Sequence, residues 1–450
     1  MTAQRAILKN GLAPQSQRGD NMSVVNALAK DFTPEARAHQ WGNLLEFARH
    51  SKTETGFGYL LDDATVSTEK PVELWISCRM VHVYSLAWIK EQKPEWKELA
   101  THGVHCLQNY FKDHEYGGWY SAISRELNED GTCNVVDETK AAYAHAFVVL
   151  AASSAIIAGI EGGSELLDEA LQSQENIWWE TDHHKVRESY NRDFTETEAY
   201  RGVNANMHTV ECYLAAFDAT GERLWLDRAL DILKWVLDEQ ARATNWRVAE
   251  HYDSNWNPLP EYNIDRPTDP FRPYGHTPGH GLEWGRLALH AGAELDRLGE
   301  DIPMWILECA DQVIERAIRD GWDADGQPGF VYTTGEDGRP IARERMHWVM
   351  CEALGAATTL ADALSGASGY GKLVGSEARV TALVEKIDQW WRYANEYLVA
   401  SPGQWRHELG TENQPTAVTW GGKPDAYHVA QMLLLPDLRL APTFALGLLS

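Results

Sequence analysis

Two histidines stand at the entrances of predicted helices, where chemistry by proton transfer is possible. The first lies in Tyr274–Arg286, Y-G-H-T-P-G-H-G-L-E-W-G-R. Gly275, Pro278 and Gly279 form a breaker cluster, and an apolar segment with helical spacing follows to Leu298. His280 therefore sits at or just inside a helix N-terminus. Glu283 follows three residues later on the same face, where its carboxylate is expected to hold the imidazole by hydrogen bond. The second is His428, which follows K-P-D-A-Y (Lys423 to Tyr427) and opens the last apolar helix. A helix N-terminus lowers an imidazole pKa and favours the neutral base there. An oriented histidine is what general acid–base catalysis requires. A single H-x-x-E is equally read as a capped helix with an incidental histidine, so the partners decide.

Several partners are visible. His208, in N-A-N-M-H-T-V-E, repeats the spacing with Glu211 at i+3; Asn204 and Asn206 precede it, and one of the two reads as a helix cap. Arg79, in W-I-S-C-R-M-V-H, is surrounded by apolar residues. A buried guanidinium needs anions or several acceptors, which means sugar oxygens or a structural ion pair. Arg247–Asn257 alternates like a strand and carries Glu250, His251 and Asp253; it reads as structural, with a place on the rim as the alternative. There is no H-E-x-x-H, no nucleophile elbow and no P-loop. The expectation is no metal and no cofactor, His208, His280 and Glu283 being the alternative ligand set.

The elements that must position these residues are helices. From about Thr33 the pattern is helical almost throughout, and strongly apolar segments (Leu74–Lys90, Lys140–Ala158, Ala205–Asp218, Gly281–Leu298, Trp348–Leu364, Ala426–Pro436) alternate with amphipathic ones. An inner helix touches neighbours on every side, whereas an outer one has a wet face. About six such hairpins closed in a ring make an all-α (α/α)6 barrel, with short β-hairpins in the Gly/Asp/Trp/Tyr loops. Arg79, Tyr143, His208, His280, Glu352 and His428 recur at intervals of 64, 65, 72, 72 and 76 on or beside the inner helices. That spacing brings six polar groups to one end of the ring.

Composition agrees. Forty basic against 66 acidic residues give a net charge of −26, which repels phosphate backbones and anionic lipid and excludes nucleic acid and membrane surfaces as partners. Nineteen tryptophans and 17 tyrosines suit a pocket walled by flat rings, although most serve as core filler. Six scattered cysteines without a C-x-x-C fit a reduced, cytoplasmic protein. No run approaches 18 apolar residues. Residues 1–21 are polar and lack the apolar core of a signal peptide, and Met22 is an alternative start. The expected organisation is a disordered extension over 1–30 and a single catalytic barrel over 31–450. A homo-oligomer is left open.

At H-T-P-G-H-x-x-E-W, N-A-N-M-H, R-M-V-H-V-Y-S, Y-G-G-W-Y and the final Y-H, the chain resembles the N-acylglucosamine 2-epimerase superfamily over about residues 40–445. Within it the likeness is strongest to bacterial aldose–ketose isomerases of mannose and sulfoquinovose. The resemblance implies an (α/α)6 barrel acting on a monosaccharide without metal or nucleotide. It implies two histidines, His280 and His428, that pass a proton between C1 and C2 through a cis-enediol(ate). His428 is assigned the carbon proton and His280 the ring opening and oxygen protons, an order that can be reversed. Glu283 would orient His280, Glu352 would support the same network, and Arg79, Tyr143, Asn204, His208 and Trp348 would hold the sugar. His407 and Pro424 stand where the sulfoquinovose type carries glutamines near C6, which places His407 in the sugar site. Mannose–fructose isomerisation, with lyxose–xylulose as a possible companion, is therefore favoured over sulfoquinovose isomerisation or 2-epimerisation.

Overall fold

The computed structural model describes residues 23–371 and 375–450. Among the described residues, twelve helices form the ring. In chain order, after the short α1 (Val24–Leu28), these are α2 (Pro34–Ala48), α3 (Leu74–Glu91), α4 (Pro94–Cys106), α5 (Ala142–Ile157), α6 (Gly163–Ser173) and α7 (Val203–Thr220). They continue with α8 (Arg223–Leu233), α9 (Pro278–Arg297), α10 (Met304–Gly321), α11 (His347–Leu364), α12 (Glu377–Tyr393) and α13 (Tyr427–Leu434).

The odd-numbered helices from α3 to α13 are the inner ring, and each packs on the next, with α13 returning to α3. Their sequences explain why they lie inside. In α5, A-Y-A-H-A-F-V-V-L-A-A-S-S-A-I-I, almost every side chain is buried. The outer helices show one stripe instead: Ile306, Cys309, Ala310, Val313, Ile314 and Ala317 repeat at three- and four-residue spacing in α10, and all are buried. Gly285 of α9 faces that stripe, and a Cβ there would lie 2.5 Å from Ile314, so the glycine sets how closely inner and outer helix approach. The expected (α/α)6 barrel is the architecture found. One feature of it is non-local: the sixth pair joins α13, near the end of the chain, to α2 near its beginning.

Strand pairs fix where the inner helices start. Val72–Glu73, Lys140–Ala141, Tyr200–Gly202 and Arg345–Met346 each pair antiparallel with a distant strand and run directly into α3, α5, α7 and α11. The residue before each helix is extended, and none caps its helix with a side chain. The ladder, rather than a Ser or Asn cap, ends the helix in the N-terminal direction. The first two turns of every inner helix therefore reach the same end of the barrel.

The extension expected over 1–30 needs correction at its C-terminal part. Residues 1–22 lie outside the described residues, but 23–30 are folded onto the barrel. The Ser23 hydroxyl donates to buried Asp362 at 2.9 Å, and the Asp388 carboxylate accepts the backbone N–H groups of Lys30, Asp31 and Phe32 at 2.9, 2.9 and 3.1 Å. Both anchors lie more than 330 residues away in the chain, which is why local composition did not show them.

Candidate active site

Arg79, Tyr143, His208, His280, Glu352 and His428 all lie in the first two turns of successive inner helices. All but Glu352 line a cleft of about 630 Å³ at that end of the barrel, together with Asn204, Glu283, Trp348 and His407.

His280 is the third residue of α9. Pro278 is its first, a position where the missing N–H costs nothing. The His280 Nδ1–H donates to Glu250 Oε2 at 2.9 Å, and the other oxygen of Glu250 accepts the Thr277 backbone N–H at 3.2 Å. Although burial raises the Glu250 pKa, the charge and hydrogen bond of His280 outweigh it and hold the carboxylate below its usual range. Glu283 is thus not the partner of His280, contrary to the spacing argument. Side chains on a helix lean toward its N-terminus, so the His280 ring reaches back past the helix end to the segment carrying Glu250. Glu283, one turn deeper, sits 3.8 Å from His208 Nδ1 and 3.5 Å from Arg286. Glu250 was legible only as part of an alternating segment read as structural.

His428 is the second residue of α13. Its Nδ1–H donates to Glu352 Oε1 at 2.9 Å, and Arg286 Nε donates to the other Glu352 oxygen at 2.9 Å. Burial first, and then the Arg79 charge, push the His428 imidazole well below its ordinary pKa. The lowering expected from the helix terminus is present, but its main cause is desolvation. Trp348 lies against both histidines, its ring 5.2 Å from His280 and 5.8 Å from His428, tilted 32° and 34°. Gly279 makes room for it, since a Cβ there would lie 2.5 Å from the indole. Each imidazole thus spends Nδ1 on a carboxylate and packs one face on the same indole. Among the described residues no protein group bonds either Nε2.

Arg79 donates to Asp425 at 3.1 Å and to the Tyr143 hydroxyl at 3.0 Å, with its guanidinium 4.4 Å from the Phe147 ring and 4.9 Å from Trp75. The ion-pair reading of Arg79 is what the structure shows, and the same residue lines the cleft. Asp425 was not singled out from the sequence. Asn206 is structural, exchanging hydrogen bonds with the Val186 backbone, while Asn204 lines the cleft; neither caps α7. His407 lies against His347, with centroids 3.8 Å apart and the rings tilted by 32°, and burial with the neighbouring His347 drives its pKa well down.

Glu283 in the cleft wall, with Glu211 and Glu352 behind it, surrounds one guanidinium, Arg286. Burial, with Glu352 next, pushes the Glu283 carboxyl well above its usual range, and neither of its oxygens has a hydrogen-bond partner among the described residues. Burial holds His208 down to about 4 against the pull of Glu211, whose carboxylate lies 3.3 Å away. His208, Glu211 and Glu283 could each offer one metal-ligand atom within 4.8 Å of the others. Arg286 already pairs with Glu283 and Glu352 beside these atoms, at 3.5 and 2.8 Å. His280 is not part of this group, which corrects the alternative ligand set drawn from sequence.

Two carboxylate-oriented histidines over a shared indole have the geometry that proton transfer requires, and comparison with known proteins places the chain in a family. The sequence pattern of the N-acylglucosamine 2-epimerase (GlcNAc 2-epimerase) family matches residues 56–432. The chain belongs to this family. Among relatives in the N-acylglucosamine 2-epimerase family, a D-mannose isomerase of Pseudomonas cannabina pv. alisalensis is 40% identical over 417 residues, 90% of this chain and 94% of the relative. A D-mannose isomerase of Thermobifida fusca is 42% identical over 405 residues, 89% and 93% of the two chains. The crystal structure of a D-mannose isomerase superposes with a TM-score of 0.79 at 25% identity, covering 90% of this chain and 98% of the other.

Proposed function

We propose that this family member is an aldose–ketose isomerase that interconverts D-mannose and D-fructose. The observation that carries the reading is the histidine pair: each ring is oriented by its own carboxylate, packed on Trp348, and left with a free Nε2 at the cleft. With Nδ1–H donated, Nε2 carries the lone pair, the form a general base needs. His428 takes the proton from C2 of the open-chain aldose and returns it at C1, and Glu352 stabilises the imidazolium between the two events. His280, held by Glu250, moves the oxygen protons and opens the ring. The Arg79 guanidinium and the Tyr143 hydroxyl face the developing enediolate oxygen, a charge-stabilising role. Glu283 lines the cleft with neither oxygen hydrogen-bonded by the protein and would pair with a sugar hydroxyl. No step calls for a metal. The relatives named D-mannose isomerase support the choice of sugar. So does Asp425: it offsets the Arg79 charge, which suits a neutral hexose better than a sulfonated one. The six cysteines are unpaired, which suits a reducing compartment such as the cytoplasm, and among the described residues no helix is long and apolar enough to cross a membrane.

Incubation with mannose in D2O, in the presence of EDTA, should give fructose carrying solvent deuterium at C1 by product NMR. Glucose without ketose would instead select 2-epimerisation, and strict dependence on added metal would overturn the route.

A pH profile tests the base. The neutral form of His428 is active and its pKa is depressed, so its activity persists below the ordinary histidine value. kcat/KM should fall only as pH drops through an apparent pKa below 6.5. An acid limb at or above 6.5 would remove His428 from the role of base.

A further inference from the structure

We propose that His208, Glu211 and Glu283 form an inhibitory site for a divalent transition-metal ion of the zinc class, which excludes sugar by occupying one wall of the cleft. The ion site stands on its own geometry; its competition with sugar rests on the sugar-isomerase reading above.

His208 and Glu211 lie one turn apart on α7, and Glu283 comes from the neighbouring inner helix α9. A histidine and a carboxylate at i, i+3, facing a glutamate on an adjacent helix, is the way helical folds build metal sites in their interiors. His208 Nδ1 is 3.3 Å from Glu211 Oε2 and 3.8 Å from Glu283 Oε1. A tetrahedral ion bound at about 2.1 Å holds its ligands about 3.4 Å apart, so small side-chain rotations close the three atoms on one ion. Among the described residues, no other three His, Cys, Asp or Glu groups converge in this way.

Two further observations point to a cation. Glu283 is fully buried, yet neither of its oxygens has a hydrogen-bond partner among the described residues. Charge is also unbalanced, because two guanidiniums serve four carboxyl groups. Arg79 is held by Asp425 at 3.1 Å, and Arg286 gives its close contacts, 2.8 and 2.9 Å, to Glu352. Glu211 and Glu283 are the remainder, with Arg286 3.5 Å from Glu283. A doubly charged ion matches that remainder. Glu211 is already oriented for it: Oε1 accepts the Gln431 amide at 2.8 Å, and Oε2 accepts the Tyr427 hydroxyl. Outer hydrogen bonds of this kind fix the carboxylates of metal sites.

The donors select the ion. One imidazole nitrogen with two carboxylate oxygens suits Zn2+, whereas Mg2+ and Ca2+ prefer oxygen ligands alone. Three protein ligands leave a fourth position, and His208 and Glu283 line the cleft, so that position opens there. The ion is not a cofactor. It engages two side chains that would otherwise meet sugar hydroxyls, so ion and sugar exclude each other.

Equilibrium dialysis of the EDTA-treated protein against ZnCl2, with and without mannose and MgCl2, measures the site directly. Mannose should displace one Zn2+ per chain, and Mg2+ should not. Glu283→Gln and His208→Gln, each confirmed as folded by circular dichroism, should weaken the binding of that ion by roughly 10²-fold or more. In the unaltered protein Zn2+ should raise KM for mannose without lowering kcat, and EDTA should reverse the effect. Absence of a mannose-displaceable ion would overturn the proposal, as would folded variants that bind it unchanged. Inhibition that lowers kcat and that mannose does not relieve would overturn it too. A protein that binds Zn2+ as described but converts no sugar would sink the isomerase reading and leave the ion site standing.

Discussion

Replacing His428 by asparagine should lower mannose turnover by roughly 10²–10⁴-fold, the range for loss of a general acid–base group, and should abolish solvent exchange at C1 and C2. The second effect separates His428 from every other residue of the cleft. If it carries the carbon-bound proton, no other base reaches it, and deuterium stays out of both mannose and fructose. His280→Asn should cost a similar factor but act elsewhere: ring opening slows, while any open-chain sugar still exchanges its proton through His428. Turnover and deuterium incorporation, followed together by NMR, check both statements. An H428N protein that still exchanges would reverse the two assignments. If both variants kept near-normal turnover, the pair would lose its role altogether. Asparagine is chosen because each ring is buried, and a smaller apolar residue would leave Glu352 or Glu250 without its donor.

Glu250→Gln should also be severe, on the order of 10²–10⁴-fold in kcat, by analogy with the loss seen when the carboxylate behind a catalytic histidine becomes an amide. The amide can turn its NH2 toward Nδ1, which reverses the tautomer and puts the proton on the working Nε2. It also removes the charge that stabilises the imidazolium. Glu250 does not line the cleft, so KM should change much less than kcat, and Glu250→Asp should recover part of the loss. A variant with normal kcat, or one with raised KM alone, would reduce Glu250 to a cap for the Thr277 N–H. Glu352→Gln should behave similarly toward His428. It carries an added folding cost, because Glu352 also holds the buried Arg286 at 2.8 and 2.9 Å.

The fold was legible in the chain because its signal is local. Whether a helix is apolar all round, like α5, or on one stripe, like α10, is written in neighbouring residues. That alternation is sufficient to order six inner and six outer helices. The recurrence of one polar residue near the start of each inner segment is equally local, as are the breakers that place His280 and His428 at helix entrances. What the residues at H-x-x-E could not convey was direction: the same spacing is a true pair in His208–Glu211 and a misleading one in His280–Glu283. The difference depends on where the ring points beyond the helix end.

Everything that sets the chemistry of the two histidines beyond their position was decided by tertiary contact. Glu250 meets His280 from 30 residues away, Glu352 meets His428 from 76, and Asp425 meets Arg79 from 346. Trp348 becomes the common floor of the two rings only because α11 stands between α9 and α13. α2, near the start of the chain, completes the ring beside α13. Sequence by itself thus determined which residues are buried on which helices and at which end their polar members emerge. The curvature of the closed ring determined which of those members touch. No local pattern contains that information, because the contacts exist only once six hairpins have closed on one another.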